Sequence, residues 1–444
     1  MDRPPRGAAT LPPGRSFPSE PAALLPKRNL PGNPNSPAPA ENRGKTFPNR
    51  GYRMNIRVNF SGRAIKYTEE EIAVVVDAMR NAEPLTQARH MLAFQEAFGN
   101  YIGAEHCFAV MNGVSALELS AQLCNFQPGD EVIIPSHTFT ASAYPYVKKG
   151  AKIVWADVDP VTHVVNAETI AARITPKTKA IVAVHLYGYV ADMPAIMALA
   201  KKHDIIVIED AAQSIGAEVD GVKSGAWGDM GVFSFHSHKN LTTLGEGGML
   251  VIKDPKLAAL VPMLRHNGHC PYPEPRPNYW TPAMGNVDLP ELDGTPLWPN
   301  NYSLGEVECA LGTKLLERID TINAEKRARA MRFIDGLKDF PELEMLREDS
   351  PRHNYHLLVG CLKNGKRDEF MRAMYEDKGI KCVVQYIPLD RYDFYKKIGL
   401  GTADCPNADA FYDAQVSFPF QHWLSEEDFE YMLASTREVL QSLR

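Results

Sequence analysis

The chain has 444 residues, 44% of them hydrophobic and 23% charged, enough to bury a large core and a second, smaller one. Its formal charge of −6 offers no electrostatic footing for nucleic acid or an anionic membrane surface, so a small anionic substrate has to be caught by local groups. The seven cysteines are scattered, odd in number and never spaced CxxC, which argues against a metal site or a disulfide framework and for a reducing cytoplasm.

Residues 1–53 hold 12 of the 34 prolines and nine Lys or Arg against three Asp or Glu, with no apolar periodicity. They read as a disordered extension. Arg-rich, acid-poor composition also fits an organelle leader, although the prolines oppose a targeting helix; an expression-tag remnant, or a true start at Met54, fits equally. The amino terminus lacks the apolar core expected of a secretory signal, and no apolar run approaches the roughly 18 residues a membrane helix needs.

The folded chain is expected to open near Asn55. Thr68-Glu69-Glu70-Glu71 is a capping box ahead of a helix through Ile72, Val75, Val76 and Met79. Apolar runs follow at Cys107–Met111, Glu131–Pro135, Lys152–Ala156, Ala180–His185, Ile205–Ile208, Met230–Phe235 and Gly248–Ile252, with helical stretches between them. The expected fold is α/β: a large domain over residues 54–310 with one seven-stranded, mostly parallel sheet covered by helices on both faces. Ligands in such folds gather at the carboxyl ends of the strands, where Asn112, Ser136, His185, Asp210 and Ser234 fall. Residues 266–300, with Tyr279, Trp280 and Trp298, make a long loop that reads either as a substrate lid or as a subunit contact. Residues 311–444 read as a smaller α+β domain of amphipathic helices around strands at His356–Leu362 and Lys381–Tyr386.

Lys239 lies just after an apolar strand, in Ser234-Phe235-His236-Ser237-His238-Lys239-Asn240, and before the glycine-rich Gly245–Gly248. A lysine held there by a rigid strand can form a Schiff base with a carbonyl cofactor. Asp210 ends the all-apolar strand upstream, where an acid can keep a pyridinium nitrogen protonated. At Asn112-Gly113-Val114-Ser115-Ala116-Leu117 a strand turns into a helix through small residues, so backbone N–H groups and the helix dipole can meet an anion. Phe139 can cover the face of a flat ring, and the Ser234 hydroxyl can add to a phosphate site. Taken singly, each has a plain structural explanation in capping, packing or solvation. Together they point to pyridoxal 5'-phosphate.

These residues, with Pro128–Pro135, Glu209–Gln213 and Asn301-Tyr302, resemble the DegT/DnrJ/EryC1/StrS family of sugar aminotransferases, fold-type I enzymes of pyridoxal phosphate. The resemblance spans roughly residues 55–440. It implies that Lys239 carries the cofactor as an aldimine, Asp210 pairs with the pyridine nitrogen, Gln213 lies beside the ring hydroxyl and Phe139 stacks on the ring. It further implies that Gly113, Ser115 and Ser234 bind the phosphate, and that Asn301 reaches in from a neighbouring subunit, giving a homodimer with shared sites. The chain departs from the family in three ways. Val114 stands where a threonine is usual, so a hydroxyl is lost beside the phosphate; Ser303 stands where many relatives have arginine; and the preceding loop is longer. Lys239 itself separates the chain from the family's sugar dehydratases, which have histidine there.

The implied reaction moves an amino group from L-glutamate, or glutamine, to a keto sugar, expected to be nucleotide-linked, in amino-sugar biosynthesis. Asp210 would tune the ring, and Lys239 would both hold the cofactor and shuttle the proton. The alternatives are elimination or dehydration on the same scaffold and, from a different class, a cofactor-binding regulator without turnover.

Overall fold

The seven apolar runs become the seven strands of one sheet. They are β1 (His106–Val110), β2 (Glu131–Pro135), β3 (Lys152–Ala156), β4 (Thr178–Val184), β5 (Ile206–Asp210), β6 (Met230–Ser234) and β7 (Gly248–Ile252). This computed structural model describes residues 56–444 except 275, 278 and 281–283, so the readings of residues 1–53 lie outside the described residues.

The strand order is β1-β7-β6-β5-β4-β2-β3. β2 through β6 pair in parallel, and β7 runs antiparallel to both β1 and β6. β1 therefore points the same way as the parallel set, and six carboxyl ends meet at one edge together with the start of β7. β2 and β7 are buried at every position, as strands covered on both faces must be. Successive β7 side chains go to different cores: Met249 and Val251 join Phe94 and Phe98, while Leu250 and Ile252 join the interior of the parallel strands.

Helix α1 (Glu69–Asn81) begins with the expected capping box: the Glu71 N–H donates to Thr68 Oγ1 at 3.2 Å and the Thr68 N–H to Glu71 Oε2 at 2.9 Å. Its apolar stripe does not all face inward. Glu71 and Ala78 are the buried residues, whereas Ile72 and Met79 are 42% and 65% exposed. Arg318 makes Glu71's burial tolerable, donating to both carboxylate oxygens at 2.6 and 3.0 Å. Helix α2 (Arg89–Ile102) packs Phe94 and Phe98 against Phe233 and Phe235. Helix α3 (Gly113–Leu123) follows β1 directly.

Beyond α4 (Glu306–Leu316) and α5 (Ile319–Gly336), a second core gathers Phe333, Phe370, Phe418 and Phe429. Its sheet has three antiparallel strands, β8 (Leu343–Met345), β9 (Leu358–Leu362) and β10 (Gln415–Phe418), and α6 (Glu426–Ser442) closes the chain. The strand expected over Lys381–Tyr386 does not form. Only Val383 bridges to Ser417, because the Tyr386 N–H leaves the ladder for His137 Nε2 at 2.9 Å. The long loop carries two short hairpins, His269–Cys270 with Asn286–Val287 and Glu291–Leu292 with Thr295–Pro296. Among the described residues no helix is long and apolar enough to cross a membrane.

Candidate active site

At the end of β1 the chain turns through Asn112 into α3. Asn112 Oδ1 accepts both the backbone N–H and the hydroxyl of Ser115, each at 2.9 Å, which caps the helix. The N–H groups of Gly113 and Val114 meet no acceptor among the described residues, and both residues line a cavity of about 520 Å³ at the strand ends. Two free amides at the positive end of an 11-residue helix suit an anion. Glycine is required at 113, since a Cβ there would lie 2.9 Å from the Ser234 Cβ. Ser234, at the end of β6, lines the same cavity.

Lys239 rides on the connection from β6 to β7. That loop is pinned at its base, with the Phe235 N–H donating to Gly247 O at 2.7 Å and the Ser237 N–H to Gly245 O at 3.0 Å. Its amine lines the cavity, and crowding by protein pushes the ammonium down to about 8, opposed by the charge of Asp210. Such an amine is partly neutral near physiological pH, as a nucleophile toward a carbonyl must be.

Asp210 ends β5 in the same cavity. Its carboxylate is fixed by the Ser142 hydroxyl at 2.7 Å and the Ala212 N–H at 3.2 Å. Gln213, three residues on, accepts the Tyr187 N–H at 2.7 Å and donates to the Tyr386 hydroxyl at 3.3 Å. Phe139, 49% exposed at the mouth, has its ring 5.7 Å from that of Tyr386. Burial pushes His137, behind Tyr386, down to about 3, so it is a neutral acceptor.

Lys239, Asp210, Gly113, Val114, Phe139, Gln213 and Ser234 thus line one cavity, whereas Ser115 and Asn301 do not. Ser115 is buried with its hydroxyl on Asn112, and Asn301 is exposed, bridged to His266 beside the end of β1. Ser142, Lys326, His356 and Tyr386 also line the cavity and carry no motif. The one sequence signal among them is Lys326, which stands in phase with Ile319, Ile322, Asn323, Ala330 and Phe333 on the buried face of α5. The arrangement fits pyridoxal phosphate: an amine for its carbonyl, an acid for its ring nitrogen, an aromatic for its face, and paired amides with a hydroxyl for its phosphate.

The model of the DegT/DnrJ/EryC1/StrS aminotransferase family matches residues 66–437. GDP-perosamine synthase of Caulobacter vibrioides is 40% identical over 375 residues, covering 82% of this chain and 94% of its own. Among solved structures, S. venezuelae DesV in complex with a ketimine intermediate superposes with a TM-score of 0.72 at 29% identity, over 84% of this chain and 94% of that one. The PLP-form of the putative sugar aminotransferase Spr1654 from Streptococcus pneumoniae shares the fold, with a TM-score of 0.76 at 24% identity over 87% and 100% of the two chains.

Proposed function

We propose a substrate for a chain that belongs to the DegT/DnrJ/EryC1/StrS aminotransferase family: a nucleotide-linked keto sugar, aminated at the expense of L-glutamate or glutamine. The chain is a sugar aminotransferase that depends on pyridoxal 5'-phosphate. The likeness to GDP-perosamine synthase supports the nucleotide-linked acceptor. The single observation that carries the site assignment is Lys239 and Asp210 in one cavity with the free amides of Gly113 and Val114.

When bound, the cofactor supplies a carbonyl carbon and an electron sink. Gly113, Val114 and Ser234 would hold its phosphate, and Phe139 would exclude water from one ring face. Asp210, oriented by Ser142 and Ala212, keeps the proton at the ring nitrogen. Gln213, locked between Tyr187 and Tyr386, would offer its amide to the ring hydroxyl. Lys239 would serve twice, its neutral amine holding the cofactor and the same amine moving a proton at the reacting carbon.

The enzyme acts as a homodimer. Ile72 and Met79 on α1, and Leu85 and Leu92 beyond it, are exposed apolar side chains that a second copy would cover. Asn301, exposed and outside its own cavity, serves the partner's phosphate site, as Ser115 supports its own through Asn112. We read residues 54–310 and 311–444 as a large and a small domain, both lining the cavity. The cytoplasm is its compartment, where seven free thiols stay reduced.

The test is to add L-glutamate to the holoenzyme, follow the cofactor's absorbance, and then supply a panel of nucleotide-linked keto sugars. Restoration of the starting spectrum with formation of an amino sugar by mass supports the reading. A dehydrated product without nitrogen, or no spectral response to any donor, refutes it.

A further inference from the structure

Lys326 stands on the buried face of α5, 3% exposed, yet it lines the same cavity as Lys239. Its Nζ donates to Phe420 O at 2.8 Å and His356 O at 3.3 Å, and lies 4.8 Å from the centre of the Phe420 ring. It meets no carboxylate among the described residues. Two carbonyl dipoles and a ring face offset the lost hydration only in part, and burial, with Arg329 nearby, pushes the ammonium down to about 7. His356, 5% exposed, lines the cavity beside it with Nδ1 unpartnered. Burial next to Lys239 and Lys326 keeps that imidazole neutral.

The other charged side chains of the cavity have roles or partners elsewhere: Glu246 is exposed and lies 3.9 Å from His236 Nε2. Lys239 is taken by the cofactor, Asp210 by its ring nitrogen, and the Gly113 and Val114 amides by its phosphate. No arginine lines the wall among the described residues, and the position where many relatives have one holds Ser303. One buried cation that meets no acid among the described residues is left, held beside His356 and Phe420 on the cavity wall.

We propose that Lys326, with His356 beside it, receives a carboxylate of the amino donor. The assignment rests on the aminotransferase reading and names the group of the donor that is recognised. Depth selects the ligand: a small amino acid can bring a carboxylate to a nearly inaccessible ammonium, whereas the diphosphate of a nucleotide sugar is bulky and belongs at the mouth. Lys326 has three N–H donors and two protein acceptors, so one bond remains for the ligand, and neutral His356 can contribute a second.

Glutarate, a dicarboxylate that cannot be transaminated, separates binding from chemistry. It is titrated calorimetrically into the holoenzyme, and L-glutamate is titrated in parallel by cofactor absorbance. Lys326→Met should weaken glutarate by about tenfold or more and raise the half-saturating glutamate concentration in proportion, while Lys326→Arg keeps most of the affinity. His356→Gln, which leaves the lysine's carbonyl contacts in place, should weaken glutarate by about threefold to fivefold. Unchanged glutarate affinity in a folded Lys326→Met, or in His356→Gln should the first variant not fold, overturns the assignment. Glutarate binding that depends on Lys326 without any spectral response to donors supports the anion site and refutes the aminotransferase reading instead.

Discussion

Glu209 and Asp210 are consecutive in β5, and the alternation of the strand separates their work. Glu209 is fully buried and accepts the N–H groups of Gly225, Trp227 and Gly228 at 2.9, 2.7 and 2.7 Å, with His185 Nε2 at 2.8 Å. Asp210 faces the cavity with, among the described residues, only the Ser142 hydroxyl and the Ala212 N–H upon it. One carboxylate closes off its surroundings; the other presents an open side.

Substitution should separate these roles. Asp210→Asn keeps the fold and lowers kcat by about a hundredfold or more, as loss of a charge that stabilises the transition state does. Glu209→Gln leaves at least one buried amide donor poorly paired and lowers stability by about 2–4 kcal/mol. Steady-state kinetics and denaturant unfolding on both variants check the pair; an Asp210→Asn enzyme within about threefold of wild type would reduce Asp210 to a helix-turn cap.

Lys239→Ala should abolish turnover yet retain the cofactor, because the Gly113 and Val114 amides, Ser234 and Asp210 are untouched. Dialysis followed by absorbance of the released cofactor measures retention, and an active variant contradicts the assignment. The same residue sets a pH signature. With its ammonium at about 8 against an ordinary value near 10.5, the neutral amine grows as pH rises through 8. The rate at which apo-enzyme captures pyridoxal phosphate should follow that rise and level off above it.

Acid should weaken the fold before the surface carboxylates titrate. Burial holds both His137 and His353 at about 3, whereas in the unfolded chain each takes up a proton near 6.5. Between those values the unfolded state binds more protons, so stability is full above about 6.5 and falls as pH drops, by up to ~1.4 kcal/mol per pH unit for each histidine. Unfolding free energies from pH 7.5 to 5 test this. A His353→Asn variant should show a shallower slope.

If Asn301 completes the partner's phosphate site, inactive Lys239→Ala chains co-expressed with chains impaired by Asn301→Ala should regain some activity, since one site of each mixed dimer is intact. Verified heterodimers with no activity argue against shared sites, and a fully active monomer excludes them.

The large sheet was legible because strands buried on both faces read as continuous apolar runs; each observed strand shares at least three residues with an expected run. The carboxy-terminal sheet was not. β8 has three residues and β10 four, too short for a pattern, while Lys381–Tyr386 has a strand's composition but spends its Tyr386 N–H on His137. In the site, Lys239 and Asp210 stood out because the one follows an apolar strand and the other ends one. Ser142, Tyr386 and His356 arrive from turns and loops whose convergence depends on tertiary packing. Lys326 had a signal, a charged residue in phase with a buried face, and its meaning needed the cavity.

Gly248 ties an ordinary ladder to the anion pocket. It opens β7 opposite both Val110 and Ser234, and a Cβ there would lie 2.5 Å from the carbonyl carbon of Asn112. A slip of β7 by one residue in the direction that brings Met249 to this position would drive a side chain into the turn that bares the Gly113 and Val114 amides. Misregistered pairing is thus penalised at the place where the cofactor's phosphate would sit, and a chain that captures phosphate there has passed a proofreading step on its own strand alignment.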